Sequence, residues 1–225
     1  PPHVCRRQRQ MCIRDRFEID DPLVEPLWSG TRVLAHVTAT SEAEGAADVA
    51  MIEELGADLA PELPALSEAI AAGVLAREAI VDGVITSEVH LSGVGAAAIP
   101  EVRNRSMSML VRGGVDLDVG PPEGVDDVTG DAPSEGFVAV DLLSVDGTVL
   151  LDVPLLERKR LLEGVIGPSD LLRVSSHVRP PWSPWVATWK SVGLRGGMLK
   201  AANGRYHPND DTIEWRIVER PGRGR

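Results

Sequence analysis

The stretch FVAVDLLSVDGTVLLDVPLLERKRLLEGV, Phe137–Val165, decides how this chain folds. Apolar residues run through Phe137–Val145, Asp146-Gly147 is a turn dipeptide, and a second apolar run follows, so the pattern is strand, tight turn, strand. Pro154 then sits where a helix opens, because its missing N–H is one that a first turn leaves unpaired. The helix PLLERKRLLEGV is expected to end near Gly164.

Upstream, Val33, Ala35 and Val37 alternate with Leu34 and His36, a strand pattern. Asp48–Leu55 and Leu63–Leu75 carry apolar residues at helical spacing, interrupted by Gly56, Pro61 and Pro64, and two helices are expected there. Ala79–Val81 and Val84–Leu91 flank Asp82-Gly83 and are expected to form a hairpin. Residues 116–135 are rich in Gly, Pro, Asp and Glu with little that can form a core, and are expected to be a long flexible loop. Downstream, Leu171–Val174, Met198–Ala201 and Ile213–Val218 are short strands, and 221–225 is a tail. Strands outnumber helices and tight turns join many of them, so the expected class is α+β with mainly antiparallel sheet.

Composition narrows the function. A net charge of −11 opposes the broad basic surface that coats nucleic acid, while leaving room for a small basic site. No apolar run approaches the roughly 18 residues of a membrane helix. The N-terminal string PPHVCRRQRQMCIRDR holds both cysteines and resembles translated sequencing-adapter read-through, as found in metagenomic gene calls; the alternative is a basic arm for nucleic acid or targeting. Setting residues 1–16 aside leaves a domain over 17–220. Over residues 17–225, 18 basic and 33 acidic side chains remain, a net −15 with no cysteine. That removes a disulfide framework and any Cys-based metal site, and a cytoplasmic place is the default expectation.

Four blocks in order resemble the adenylation domain of ATP-dependent DNA ligases, above all the bacterial end-joining type. EPLWSGTR (Glu25–Arg32) resembles E-P-K-W-D-G-x-R. AIVDGVI (Ala79–Ile85) resembles V-L-D-G-E-[IV]. Phe137–Val165 resembles F-x-x-F-D-L-L, then D-G, then P-L-x-x-R-R-x-L-L. Gly193–Glu219 resembles G-x-E-G-[VL]-[VM]-x-K followed by S-x-Y-x-P-G and W-x-K-x-K. Glu54–Leu66 is similar to the family's S-R-N-G-x-D-L-T segment. The resemblance implies the DNA ligase/mRNA-capping nucleotidyltransferase (ATP-grasp-like) fold: antiparallel sheets flanked by helices, with ATP and Mg²⁺ in the groove between them and DNA ends as partners. Six residues follow Glu219, and no OB-fold domain is expected.

Ligase chemistry starts with a lysine amine attacking the α-phosphate of ATP. The family's nucleophile position is Leu27 here, which has no lone pair, and the companion Asp is Ser29. The chain has only three lysines, Lys159, Lys190 and Lys200. Val84 stands for a ribose- and metal-binding Glu, and Arg195 for the fourth block's Glu. The last lysines of the pattern are Ile217 and Glu219, and the S-R-N-G arginine is lost to Glu53-Glu54. The resemblance therefore implies a ligase-like domain without ligase chemistry, which binds a nucleotide, a DNA end or a repair partner. The alternatives are an active ligase with a relocated nucleophile, or a structural protein on the same fold.

The resemblance assigns nucleotide binding to Arg32, Phe137 and Lys200. Each also has a structural reading: Arg32 pairing an acid, Phe137 filling the core, Lys200 standing as a solvated charge. The five histidines, His3, His36, His90, His177 and His207, lack metal-ligand spacing, so no metal site is expected. Trp182, Trp185 and Trp189 are expected to pack beside Pro180, Pro181 and Pro184 rather than stack bases.

Overall fold

The structure is a computed structural model that describes residues 19, 21–40, 47–91, 135–208 and 215–218. The expected adapter-like stretch 1–16, all but Glu135 of the loop expected over 116–135, and the tail 221–225 lie outside the described residues. Among the described residues, nine strands and three α-helices follow in order: β1 Pro22–Pro26, β2 Thr31–Ala39, β3 Ala47–Glu53, α1 Pro64–Gly73, β4 Glu78–Thr86, β5 Gly136–Val145, β6 Thr148–Val149, α2 Leu155–Val165, β7 Leu172–Val174, α3 Ser183–Ser191, β8 Gly197–Ala201 and β9 Trp215–Val218.

The strands form two sheets. The larger has the order β3-β2-β4-β5-β6, all antiparallel, with β7 added parallel to β5. The smaller is β1-β8-β9. One face of the large sheet carries Val33, Ala35 and Val37 of β2 with Val81 and Ile85 of β4, and buries them against Leu66 and Ile70 of α1 and Leu162 of α2. The small sheet packs Val24 against Val186 and Trp189 of α3, with Trp28, Trp182 and Trp185 around them. The tryptophan cluster is therefore a second core, as its spacing beside the prolines implied.

The α+β class with antiparallel sheets and few helices stands as expected, and the Asp146-Gly147 turn has φ of 46° and 76°, the left-handed pair a tight hairpin needs. Two local expectations are corrected. Asp48–Leu55 is not helical: Ala47–Glu53 is an edge strand paired with β2 from Val33↔Glu53 to Ala39↔Ala47. A run of seven residues is too short for its periodicity to separate strand from helix, and the pairing partner decides. Asp82-Gly83 is not a turn but the middle of β4, with β2 on one side and β5 on the other. Its ladder with β5 shifts register between Asp82 and Gly83. Glycine is required there by close approach: a Cβ would overlap the Phe137 ring and lie 2.6 Å from the Val138 carbonyl oxygen.

Candidate functional site

The sheet face opposite the main core opens into a groove of about 980 Å³. Leu34 and Ile80 lie on its floor, Arg32, Tyr206 and Trp215 form its aromatic end, and Glu53 and Glu54 come from the β3 side, where Glu53 pairs with Val33 next to Arg32. Alternation along β2 explains the floor: Val33, Ala35 and Val37 turn to the core, so Arg32, Leu34 and His36 turn the other way.

At the aromatic end, Arg32 makes a forked contact with buried Asp82, Nε to Oδ1 at 2.9 Å and Nη2 to Oδ2 at 2.5 Å. The Tyr206 hydroxyl donates to Asp82 Oδ2 at 3.2 Å. The hydrogen bonds to Asp82 raise the Arg32 guanidinium further above its ordinary value. Burial and the Asp82 charge push the Tyr206 hydroxyl up to about 12, so it stays protonated as a donor. Tyr206 meets Trp215 edge-on, with ring centroids 6.5 Å apart. Two cations approach the Trp215 ring: Lys200 Nζ at 4.5 Å from its centroid and Arg32 Cζ at 5.3 Å.

Beside this wall lies a buried ionic cluster. Glu25 Oε1 is 2.9 Å from Lys159 Nζ, and Glu25 Oε2 is 3.2 Å from Lys200 Nζ. Ser175 Oγ is at 3.5 Å from the same Oε2, and the Trp28 indole N–H donates to Ser175 at 3.0 Å. All three charged residues are at most 3% exposed. Burial opposes ionisation of Glu25, but the two ammonium groups outweigh it and hold the carboxyl below its usual range. Burial pushes Lys159 down; Glu25 opposes that and Lys200 adds to it. A second buried pair, Asp141 with Arg158, stands next to the cluster on β5 and α2.

Of the residues expected to hold a nucleotide, Arg32 and Lys200 are brought to one Trp215 ring. Phe137 is not: it is 1% exposed in the main core on the other face of the sheet. Leu27 is half-buried at the end of the β1–β8 ladder, its N–H donating to the Gly196 carbonyl at 3.0 Å, whereas Lys200 pairs with Leu23 four residues back along the strand. Glu25, Lys159, Asp82, Tyr206 and Trp215 were not singled out as site residues. One signal pointed to two buried cations: Arg158 and Lys159 sit three and four residues after Leu155, on the stripe that buries Leu155 and Leu162. Arg158 pairs with Asp141 nearby in sequence, but the partner of Lys159, Glu25, is more than a hundred residues away and carries no local mark.

The arrangement fits a nucleotide better than a metal. Arg32 and the Trp215 face offer a cation and an aromatic surface in a groove of ample volume. Asp82 is engaged by Arg32 and Tyr206 and Glu25 by two lysines, Glu53 and Glu54 also line the groove, and among the described residues no group of three His, Cys, Asp or Glu side chains could hold an ion. An all-protein Mg²⁺ cage is not offered here; one or two carboxylates with a ligand's own phosphates are the usual way such an ion is held.

The cluster has a pH signature. His177 Nδ1 lies 3.8 Å from Glu163, and burial, with Lys159 nearby, keeps the imidazole below its ordinary 6.5. The unfolded chain therefore takes that proton first, and stability falls as pH drops below about 6.5. Glu25 is ionised in the folded state below the ordinary 4.5, so a second loss begins below about 4.5. Urea midpoints titrated downward from neutral pH are expected to show both steps, with His177→Asn removing the upper one; a curve unchanged by that variant refutes the assignment.

No protein-family model and no curated protein matches the chain. Solved structures do. It is similar to mycobacterial DNA ligase D complexed with ATP and MES, at 20% identity and a TM-score of 0.54, covering 88% of this chain and 54% of that one. It is similar to the ligase domain of LigD from M. tuberculosis, at 22% identity and a TM-score of 0.54, covering 88% and 53%. A third, Pmar-Lig_Pre., gives 12% identity and a TM-score of 0.54, covering 93% and 44%. The chain thus spans about half the length of the first two structures. Among the described residues no helix is long and apolar enough to cross a membrane. Two mainly antiparallel sheets, flanked by helices, make the fold that of the adenylation domain of ATP-dependent DNA ligases.

Proposed function

We propose that this chain is a ligase-type adenylation domain that binds ATP without forming a covalent lysyl-adenylate. The observation that carries the reading is the state of its amines. The nucleophile position is Leu27, Lys159 and Lys200 are buried and ion-paired to one carboxylate, and Lys190 lies on α3 outside the groove lining. Neither buried amine is among the groups lining the groove, and an amine held by a buried carboxylate is not positioned to attack phosphorus there. Nucleotide binding is assigned to Arg32 and Lys200 about the Trp215 ring, and Phe137 supports the site from the core beneath Gly83. Glu53 and Glu54, which line the groove from the β3 side beside Arg32, oppose a DNA backbone, whose phosphates dominate duplex affinity.

Incubation with α-labelled ATP and Mg²⁺, resolved on a denaturing gel, is expected to leave the protein unlabelled, while calorimetry at millimolar ATP shows heat of binding. A covalent AMP adduct overturns the first part; absence of heat overturns the second. One observation favours a second reading, an active enzyme with a relocated nucleophile: burial pushes the Lys159 amine below its ordinary value, toward the neutral form a nucleophile needs. An adduct that disappears in Lys159→Arg would establish that reading. A nicked-duplex mobility shift at low salt tests DNA ends as the partner, and no shift is expected.

A further inference from the structure

The buried cluster holds two ammonium groups on one carboxylate, so it carries one cation more than its own acid neutralises. The neighbouring Asp141–Arg158 pair is balanced and supplies no spare anion. The two lysines are not equivalent. Lys159 is 0% exposed and projects from α2. Lys200 projects from β8, with its Nζ 4.5 Å from the centre of the Trp215 ring, and Trp215 is a wall of the groove. If Lys200 leaves Glu25, the remainder is a neutral Glu25–Lys159 pair, still within reach of Ser175, and the repulsion between the two ammoniums is relieved. Removal of a partner from a buried pair normally strands a charge at a cost of several kcal/mol. Here the excess of one cation avoids that.

We infer that Lys200 is a transferable cation: Glu25 holds it, and a phosphate group of the groove's ligand draws it past Trp215, with Glu25 as built-in competitor and Lys159 as the group that keeps Glu25 neutralised after transfer. This rests on the nucleotide reading above and deepens it. Carboxylate and phosphate oxygens compete for the same three N–H donors, and the carboxylate is held at a high effective concentration by the fold. Lys159, remote from the groove, therefore sets affinity through its hold on Glu25.

The test uses calorimetry with ATP and, separately, inorganic tripolyphosphate, which has the phosphates without the base. Glu25→Asp keeps the charge but shortens its reach, so it can no longer span both lysines; affinity for both probes is expected to rise at least fivefold. Lys159→Met leaves Glu25 with Lys200 as its sole counter-charge, and affinity is expected to fall at least tenfold. Lys200→Met is expected to abolish the gain in the Glu25→Asp background. Opposite movements of the first two variants support the transfer. Wild-type affinity in Lys159→Met overturns it while leaving nucleotide binding intact, and this holds even where Glu25→Asp does not fold. Absence of binding to wild type and every folded variant overturns both the transfer and the nucleotide reading.

Discussion

Asp141→Asn is expected to lower folding stability by about 3–5 kcal/mol, read as a fall in the urea midpoint at constant slope. Asp141 accepts from Arg158 through both oxygens, Nε to Oδ1 at 2.9 Å and Nη2 to Oδ2 at 2.8 Å, and Oδ1 also accepts the Leu142 N–H at 2.9 Å. Both partners are at most 1% exposed. The guanidinium also donates through Nη1 to the carbonyls of Val153 and Gly204, so the pair ties β5, the entry to α2 and the loop that presents Tyr206. Asparagine preserves the shape but leaves a buried guanidinium without its counter-charge, facing an amide NH₂. The size of the loss comes from that stranded cation more than from the net strength of the pair. Asp141→Leu combined with Arg158→Met is therefore expected to recover most of it, since well-packed apolar substitutes often match a buried ion pair. A single variant within 1 kcal/mol of wild type would contradict this account.

Gly30→Ala is expected to cost about 3–5 kcal/mol, from two independent sources. Gly30 has φ of +144°, where an L side chain is strained, and its Cβ would fall on the Ile85 carbonyl oxygen and lie 3.1 Å from Val84 Cγ1. That carbonyl belongs to β4, inside the large sheet, and cannot yield without breaking the β2–β4 ladder at Thr31↔Ile85. The loop it disrupts carries Leu27 and Trp28 and is held by the Ser29 N–H on Glu88 Oε2 at 2.7 Å. Gly56→Ala separates the two sources: φ is +88° but nothing lies within 4 Å of the added carbon, so only the conformational cost of about 1–2 kcal/mol remains. Equal losses in the two variants would show that the clash with Ile85 is relieved by movement of the loop.

Much of the fold is legible in the chain itself. The unit Phe137–Val165 folds as its pattern dictates, because strand alternation, Asp146-Gly147 and Pro154 all act over a few residues. The helix expected over Leu63–Leu75 appears as Pro64–Gly73 for the same reason. The expectations that failed are those where a local pattern had two meanings. Ala47–Glu53 has apolar residues compatible with either period, and only β2 alongside makes it a strand. Asp82-Gly83 has turn chemistry, yet Gly83 is there to admit the Phe137 ring, which comes from a strand more than fifty residues away.

The site divides the same way. The amino-acid sequence by itself determined which chemical groups the chain owns: leucine at position 27, three lysines, a net charge of −11, and four blocks that resemble those of DNA ligases. Only the tertiary structure decided what those groups do to one another. It set Phe137 in the core, brought Arg32 and Lys200 to one indole, and placed Glu25 between two lysines from different elements. Coulomb energy and desolvation depend on separation and burial in space, and neither quantity is written in the spacing of residues along a chain.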